Sequence, residues 1–98
     1  MNVKKSFPLT NGDSLVLIDM LGRAKAATWE DANRNVYRFD PSGRVIWRIA
    51  SRSEADEKLP YTNIYFGELG ELMAYCWDGD EYEINSDTGD IDIGRFLK

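Results

Sequence analysis

The chain has 98 residues, of which 43% are hydrophobic and 30% charged, with a formal net charge of −5. That size and balance imply one globular domain and exclude wholesale disorder. The longest aliphatic run, Leu15-Val16-Leu17-Ile18, is far short of the ~20 apolar residues of a membrane-spanning helix, and the acidic excess argues against a nucleic-acid partner.

The predicted elements run as follows. Met1–Asp13 carries Lys4 and Lys5 with no apolar stretch behind them, so no secretory signal is expected. Within it, Asn2–Pro8 reads as an edge strand ended by Pro8. Period-two patterning then predicts eight strands, over 14–20, 24–30, 35–40, 44–50, 61–67, 71–77, 81–85 and 90–96. Tyr37 and Phe39 alternate with Arg38 and Asp40, and Tyr82 and Ile84 with Glu81 and Glu83. The turns between strands carry Gly, Asn, Asp, Pro or Ser, residues suited to tight reversals. Ser51–Lys58 predicts one helical turn capped by Ser53 and stopped by Pro60; no other stretch reads as helix.

A motif occurs twice. Leu21-Gly22, Ala26 and Trp29 recur as Leu69-Gly70, Ala74 and Trp77. Each copy continues through an acidic stretch, an aromatic-led strand and a glycine turn, Asp40-Pro41-Ser42-Gly43 or Ser86-Asp87-Thr88-Gly89. The chain therefore divides into repeat one (14–50), a connection (51–60) and repeat two (61–97). Neither copy buries its hydrophobic face alone. The expected fold is all-β: two four-stranded antiparallel meanders, an internal duplication, packed as a sandwich, small barrel or rolled sheet.

Two strands are apolar on both faces: Leu15-Val16-Leu17-Ile18, and Leu72 to Trp77. A sheet with one wet face alternates instead. Two packed sheets cover one face each, so a further subunit is expected over the remainder, in a dimer or trimer.

The segment Ala74-Tyr75-Cys76-Trp77-Asp78-Gly79-Asp80-Glu81-Tyr82-Glu83-Ile84-Asn85-Ser86-Asp87-Thr88-Gly89-Asp90-Ile91 resembles one blade of a quinoprotein-type β-propeller repeat. It has the strand, Asp-Gly turn, aromatic strand, Thr-Gly turn and strand of such a blade. Val36 to Trp47 is similar to the same unit. A propeller takes about four to eight blades. The resemblance thus implies an alternative architecture, two blades per chain with the ring closed by oligomerisation, as in small lectins built from two-blade chains. It implies nothing about chemistry here.

There is no histidine, which removes Ser-His-Asp and Cys-His catalysis and the commonest metal ligand. Cys76 is the only cysteine, so no intramolecular disulfide forms and a reducing cytoplasm is the expected location. Placed mid-strand in an acidic half, it reads as a buried, inert thiol. Asp78, Asp80, Glu81 and Glu83 gather around one turn; a carboxylate pair suits glycoside hydrolysis and oxygen ligands suit calcium, but turn formation explains the cluster more simply. No phosphate-binding glycine loop is present, and no cofactor or metal is expected.

Residues 1–58 hold ten basic and eight acidic residues, a balance of +2, whereas residues 59–94 hold nine acidic and no basic residues, a balance of −9. Leu72, Ala74 and Cys76 form a small face suited to sheet packing, which turns Tyr75 outward along with Trp29 and Trp77. The candidate binding or interface residues are therefore Trp29, Tyr75, Trp77, Asp78, Asp80 and Glu81. The expected function is a non-catalytic, self-associating interaction or inhibitor module offering an acidic surface to a basic protein. The alternative is a carbohydrate-binding protein using the exposed aromatics, with a carboxylate-dependent hydrolase behind it.

Overall fold

The repeated glycine turns fold the chain into hairpins. The computed structural model describes residues 3–20, 28–51, 60–76 and 79–92. Eight strands are β1 (Val3–Pro8), β2 (Ser14–Ile18), β3 (Val36–Phe39), β4 (Val45–Arg48), β5 (Tyr61–Phe66), β6 (Leu72–Cys76), β7 (Glu81–Ile84) and β8 (Ile91–Asp92). One short helix, α1 (Trp29–Asn33), lies between β2 and β3. The strands form two antiparallel four-stranded sheets, ordered β1-β2-β3-β4 and β5-β6-β7-β8. Both are meanders, and they pack face to face as a sandwich; neither closes into a barrel.

The first sheet contains β1 where a strand over 24–30 was expected. Residues 24–27 lie outside the described residues, but Trp29–Asn33 is helical. Local capping explains this. Thr28 Oγ1 accepts the Asp31 N–H at 3.1 Å, and Ala32 N–H donates to the Thr28 carbonyl at 3.0 Å. Thr28 to Asp31 is thus a capping sequence, with Asp31 placed in the first turn where the helix dipole favours a carboxylate. Ala32 and Asn33 are fully buried, so tertiary packing anchors the short helix. The expected helical turn at 51–58 falls mainly on 52–59, outside the described residues, as does the end of the strand expected at 90–96.

The duplication is visible in three dimensions, in a different register from the Leu-Gly motif. The β1–β2 hairpin closes with Leu9 N–H to Asp13 O at 2.7 Å and Gly12 N–H to Leu9 O at 3.1 Å. The β5–β6 hairpin repeats it, Gly67 N–H to Glu71 O at 2.7 Å and Gly70 N–H to Gly67 O at 3.0 Å. Gly12 and Gly70 have φ of 91° and 82°, the left-handed position that such three-residue loops reserve for glycine. β1 and β5 also share a register shift near their starts. Leu69-Gly70 therefore corresponds to Asn11-Gly12, not to Leu21-Gly22. The two halves diverge after β2 and β6: a long connection carrying α1 leads to β3, and a short one leads to β7.

One core lies between the sheets. Leu15, Leu17, Val36, Trp47 and Ile49 meet Ile64, Ala74, Cys76, Tyr82 and Ile84, with Tyr61 and Leu72 beside them. Burial of this apolar area drives the packing, at roughly 25 cal/mol per Å². The sheets stack in the same strand order. Over β5, Lys5 Nζ donates to Asn63 Oδ1 at 3.1 Å, and the Phe7 and Phe66 rings lie 4.8 Å apart. At the other edge Trp47 Nε1 donates to Ser86 O at 2.7 Å, and Ala50 N–H to Gly89 O at 2.9 Å. A Cβ on Gly89 would sit 2.7 Å from the Trp47 ring, so this turn is pressed against the first sheet.

The joint between the halves is Asn35, 1% exposed. Its Nδ2 donates to Ile18 O at 2.9 Å and to Tyr61 O at 2.8 Å, and its Oδ1 accepts the Tyr61 N–H at 3.0 Å. One side chain thus ties β2 to β5. Arg38 sits near the opposite end, with Nη2 2.6 Å from Asp13 Oδ2 and Nη1 donating to Ser86 O.

Candidate functional site

Because successive side chains on a strand point to opposite faces, the buried residues identify the outward set. On the second sheet, Leu72, Ala74 and Cys76 belong to the core between the sheets, so Met73 and Tyr75 point to the other face, where Met73 is nonetheless covered, at 3% exposed. Tyr75 is 37% exposed. The register adds its neighbours: Tyr75 lies between Asn63 and Glu81, and Met73 lies between Tyr65 and Glu83, which pairs with Asp92. The face is thus two tyrosines and a methionine beside three carboxylates, with no Lys or Arg anywhere in 59–94. Tyr75 is where the sequence placed it, on the outward face, and Glu81 is exposed next to it.

The other expected site residues do not join it in the same way. Asp80 is exposed, and its Oδ2 accepts the Tyr82 hydroxyl at 3.3 Å, while its carbonyl accepts the Cys76 N–H at 2.8 Å; it supports the hairpin. Trp77 and Asp78 lie outside the described residues. Trp29 opens α1 in the first half, and its side chain also lies outside the described part. Cys76 is fully buried, with its thiol 3.6 Å from Pro60 O.

A second outward surface belongs to the first sheet. Leu15 and Leu17 point into the core, so Val16 and Ile18 face out. Val16 pairs with Tyr37, and Tyr37 with Arg48; Phe39 pairs with Val45. The Tyr37 and Phe39 rings stack 5.7 Å apart, and the Arg48 guanidinium lies 5.1 Å from the Tyr37 ring centre. Arg48 Nη2 also pairs with Asp31 at 3.0 Å, and Nε donates to Arg34 O at 2.8 Å. That hydrogen bond holds the Asp31 carboxyl below its ordinary range. A register shift at Phe39 leaves Ile46 as the extra residue of β4, so Val45 and Ile46 are both exposed, at 47% and 45%. Strict alternation along 44–50 would put Val45 on the face of Trp47 and Ile49, and the extra residue at Ile46 moves it to the other face.

A cleft of about 820 Å³ opens between the sheets at their β1–β2 and β7–β8 turns. Leu9, Arg38, Phe66, Glu71, Asn85 and Asp87 line it, and Phe66 is 52% exposed there. Nothing in the sequence pairs Leu9 with Asn85; only sheet packing brings the two turns together.

A family model described as "Domain of unknown function (DUF7957)" matches residues 10–96. No curated protein and no solved structure matches the chain.

Proposed function

We propose, for a chain that belongs to the DUF7957 family, a non-catalytic protein-interaction module that self-associates and recognises its partner through the acidic outward face of the second sheet. The observation that carries this reading is Tyr75. It stands partly exposed on a sheet face between Asn63 and Glu81, in a stretch, 59–94, that contains nine carboxylates and no Lys or Arg. Tyrosine supplies rigid contact area and a hydroxyl, and carboxylates around it select a cationic partner and exclude anionic ones. The absence of histidine from the whole chain agrees with a binding role over acid–base catalysis. A basic protein is the partner of choice, met in the cytoplasm, where a free thiol such as Cys76 persists.

The test is binding of a defined basic probe, poly-lysine, by the purified protein. Affinity is expected to fall about tenfold or more between low salt and 0.5 M salt, where the Debye length shrinks to a few ångströms. Tyr75→Ala and Glu81→Gln are each expected to weaken binding. Salt-insensitive binding, or binding untouched by both substitutions, would overturn the reading.

The inter-sheet cleft favours a second reading, a small-ligand binder with carbohydrate as ligand. Its volume is within the range of ligand pockets, and it combines the exposed Phe66 ring with the polar groups of Asn85 and Glu71. Titrating a sugar panel while following tryptophan fluorescence tests it, since Trp47 contacts the β7–β8 turn that lines the cleft. A flat response across the panel would remove it.

The likeness to propeller blades enters the same proposal at the level of assembly. Two four-stranded meanders stacked in one strand order agree with a pair of adjacent blades, and a trimer would then complete the ring.

A further inference from the structure

The two outward faces differ in kind. The first sheet presents Val16, Tyr37, Phe39, Val45 and Ile46 with the cation of Arg48 at its β4 edge. The second presents Tyr65 and Tyr75, over a covered Met73, with Glu81, Glu83 and Asp92 at its β7–β8 edge. Each has an aromatic centre; the edge of the first offers Arg48, shared with Asp31, and the edge of the second offers carboxylates alone. Val45 and Ile46 are adjacent, about half exposed, and placed there by a register shift, a costly arrangement for a face meant for water.

The chain already contains one interface of this type. Inside the sandwich, strand side chains of the first sheet donate: Lys5 to Asn63, Arg38 and Trp47 to Ser86 O. Tyr61 of the second sheet donates in return, through its N–H to Asn35 Oδ1 and its hydroxyl to Ala50 O. The stacking is in register by strand order, β1 over β5 and β4 over the β7–β8 turn.

We propose that the occupant of the acidic face is a second copy of this chain: the outward face of the first sheet of one molecule stacks on the outward face of the second sheet of the next. The inference rests on the reading of that face as a protein-recognition surface. In the strand order used within the chain, Val45, Ile46 and Arg48 of β4 come over Glu83 and Asp92. Val16 of β2 comes over β6, which carries Tyr75, and Tyr37 of β3 comes over β7. The two faces are different, so the contact is heterologous, and repetition gives a ring where the rotation closes. Arg48 enters with its position already set by Asp31 and by the Tyr37 ring, which limits the side-chain entropy lost on docking.

Light scattering and sedimentation of the full chain over a wide concentration range provide the test. The wild type is expected to associate. Ile46→Glu sets a carboxylate against the acidic edge and is expected to raise the dissociation constant about tenfold or more; Val45→Asp, at the other exposed residue of the bulge, should act alike. Glu81→Lys with Glu83→Lys is expected to weaken association too, by facing lysines toward Arg48. Combining Ile46→Glu with both lysine substitutions in one chain sets the new carboxylate against the new ammonium groups, with Arg48 still facing them, and is expected to recover association in part. Circular dichroism checks that each variant folds. A wild type of single-chain mass throughout, association indifferent to Ile46→Glu and Val45→Asp, or a combined variant that stays dissociated would each overturn the inference. Poly-lysine separates this from the broader reading. A single-chain wild type that still binds it through Tyr75 defeats self-stacking alone; an assembly that forms as described, from chains that ignore poly-lysine once dissociated, defeats the basic-partner reading alone.

Discussion

Asn35 is the residue on which the relation between the two sheets turns. Its amide makes three hydrogen bonds at a buried site, to groups that belong to β2 and β5. Replacing it by alanine leaves backbone polar groups in the interior without that partner, at ~1–3 kcal/mol for each unsatisfied group. Asn35→Ala is therefore expected to lower stability by about 3 kcal/mol or more, read as a fall in urea midpoint with an unchanged slope. Asn35→Asp should be at least as damaging, because a carboxylate would face the Ile18 and Tyr61 carbonyl oxygens where an NH₂ now donates. A midpoint within about 1 kcal/mol of wild type would show that the halves are joined by the core alone. An asparagine that ends the polar run Asn33-Arg34-Asn35, just before Val36, gives no sequence sign of this role; it looks like any loop residue.

At the scale of elements, α1 and the β3–β4 turn depend on ionised carboxylates. Asp31 is hydrogen-bonded by Arg48, and Asp40 Oδ1 accepts Ser42 N–H, Ser42 Oγ–H and Arg44 N–H. Both carboxyls are held below their ordinary value of 3.8, Asp31 chiefly by Arg48 and Asp40 chiefly by the Ser42 hydroxyl. A depressed folded-state value means that the stabilisation is fully present above the unfolded value and is lost as pH falls through the folded one. Thermal scans are thus expected to show these contributions constant from neutral pH to about pH 5 and declining below about pH 4. Asp31 is exposed and Asp40 partly so, so solvent screens the effect and each contribution is small. In Asp40→Asn and Asp31→Asn variants the acid-side decline should be shallower; an unchanged slope would refute the assignment. Thr28→Ala, which removes the cap, should cost about 1 kcal/mol at any pH. The Thr28-to-Asp31 spacing was present in the sequence, but the repeat alignment with Trp77 set a strand across it.

The whole molecule is a two-layer slab, 36 × 35 × 19 Å across its Cα atoms, with charge divided unevenly between the layers. Residues 59–94 carry −9 within a chain of −5. Like charges on one sheet repel in the folded monomer, and salt screens them. Salt is therefore expected to raise the melting temperature of the Ile46→Glu monomer by roughly a few degrees, while it weakens wild-type association, since that contact joins opposite charges. The opposite signs distinguish the two effects in one titration. Salt stabilising both equally would place apolar contact, not charge, in control of assembly.

Much of this was legible in the chain itself. Period-two alternation and glycine turns determined seven of the eight strands expected between 14 and 96, and Pro8 marked the edge strand before them, because strand pleat and left-handed turn residues act over a few neighbouring positions. Composition determined the charge division and the absence of histidine outright. The structure alone decided that β1 is the fourth strand of the first sheet, that Trp29–Asn33 is a helix, and that Val45 and Ile46 both face out across a bulge. It also decided that Asn35 meets Tyr61 and that Leu9 meets Asn85 across a cleft. Each of these depends on which distant backbone groups finish a hydrogen bond or fill a space, and a linear pattern holds no record of partners that meet only when two sheets close on each other.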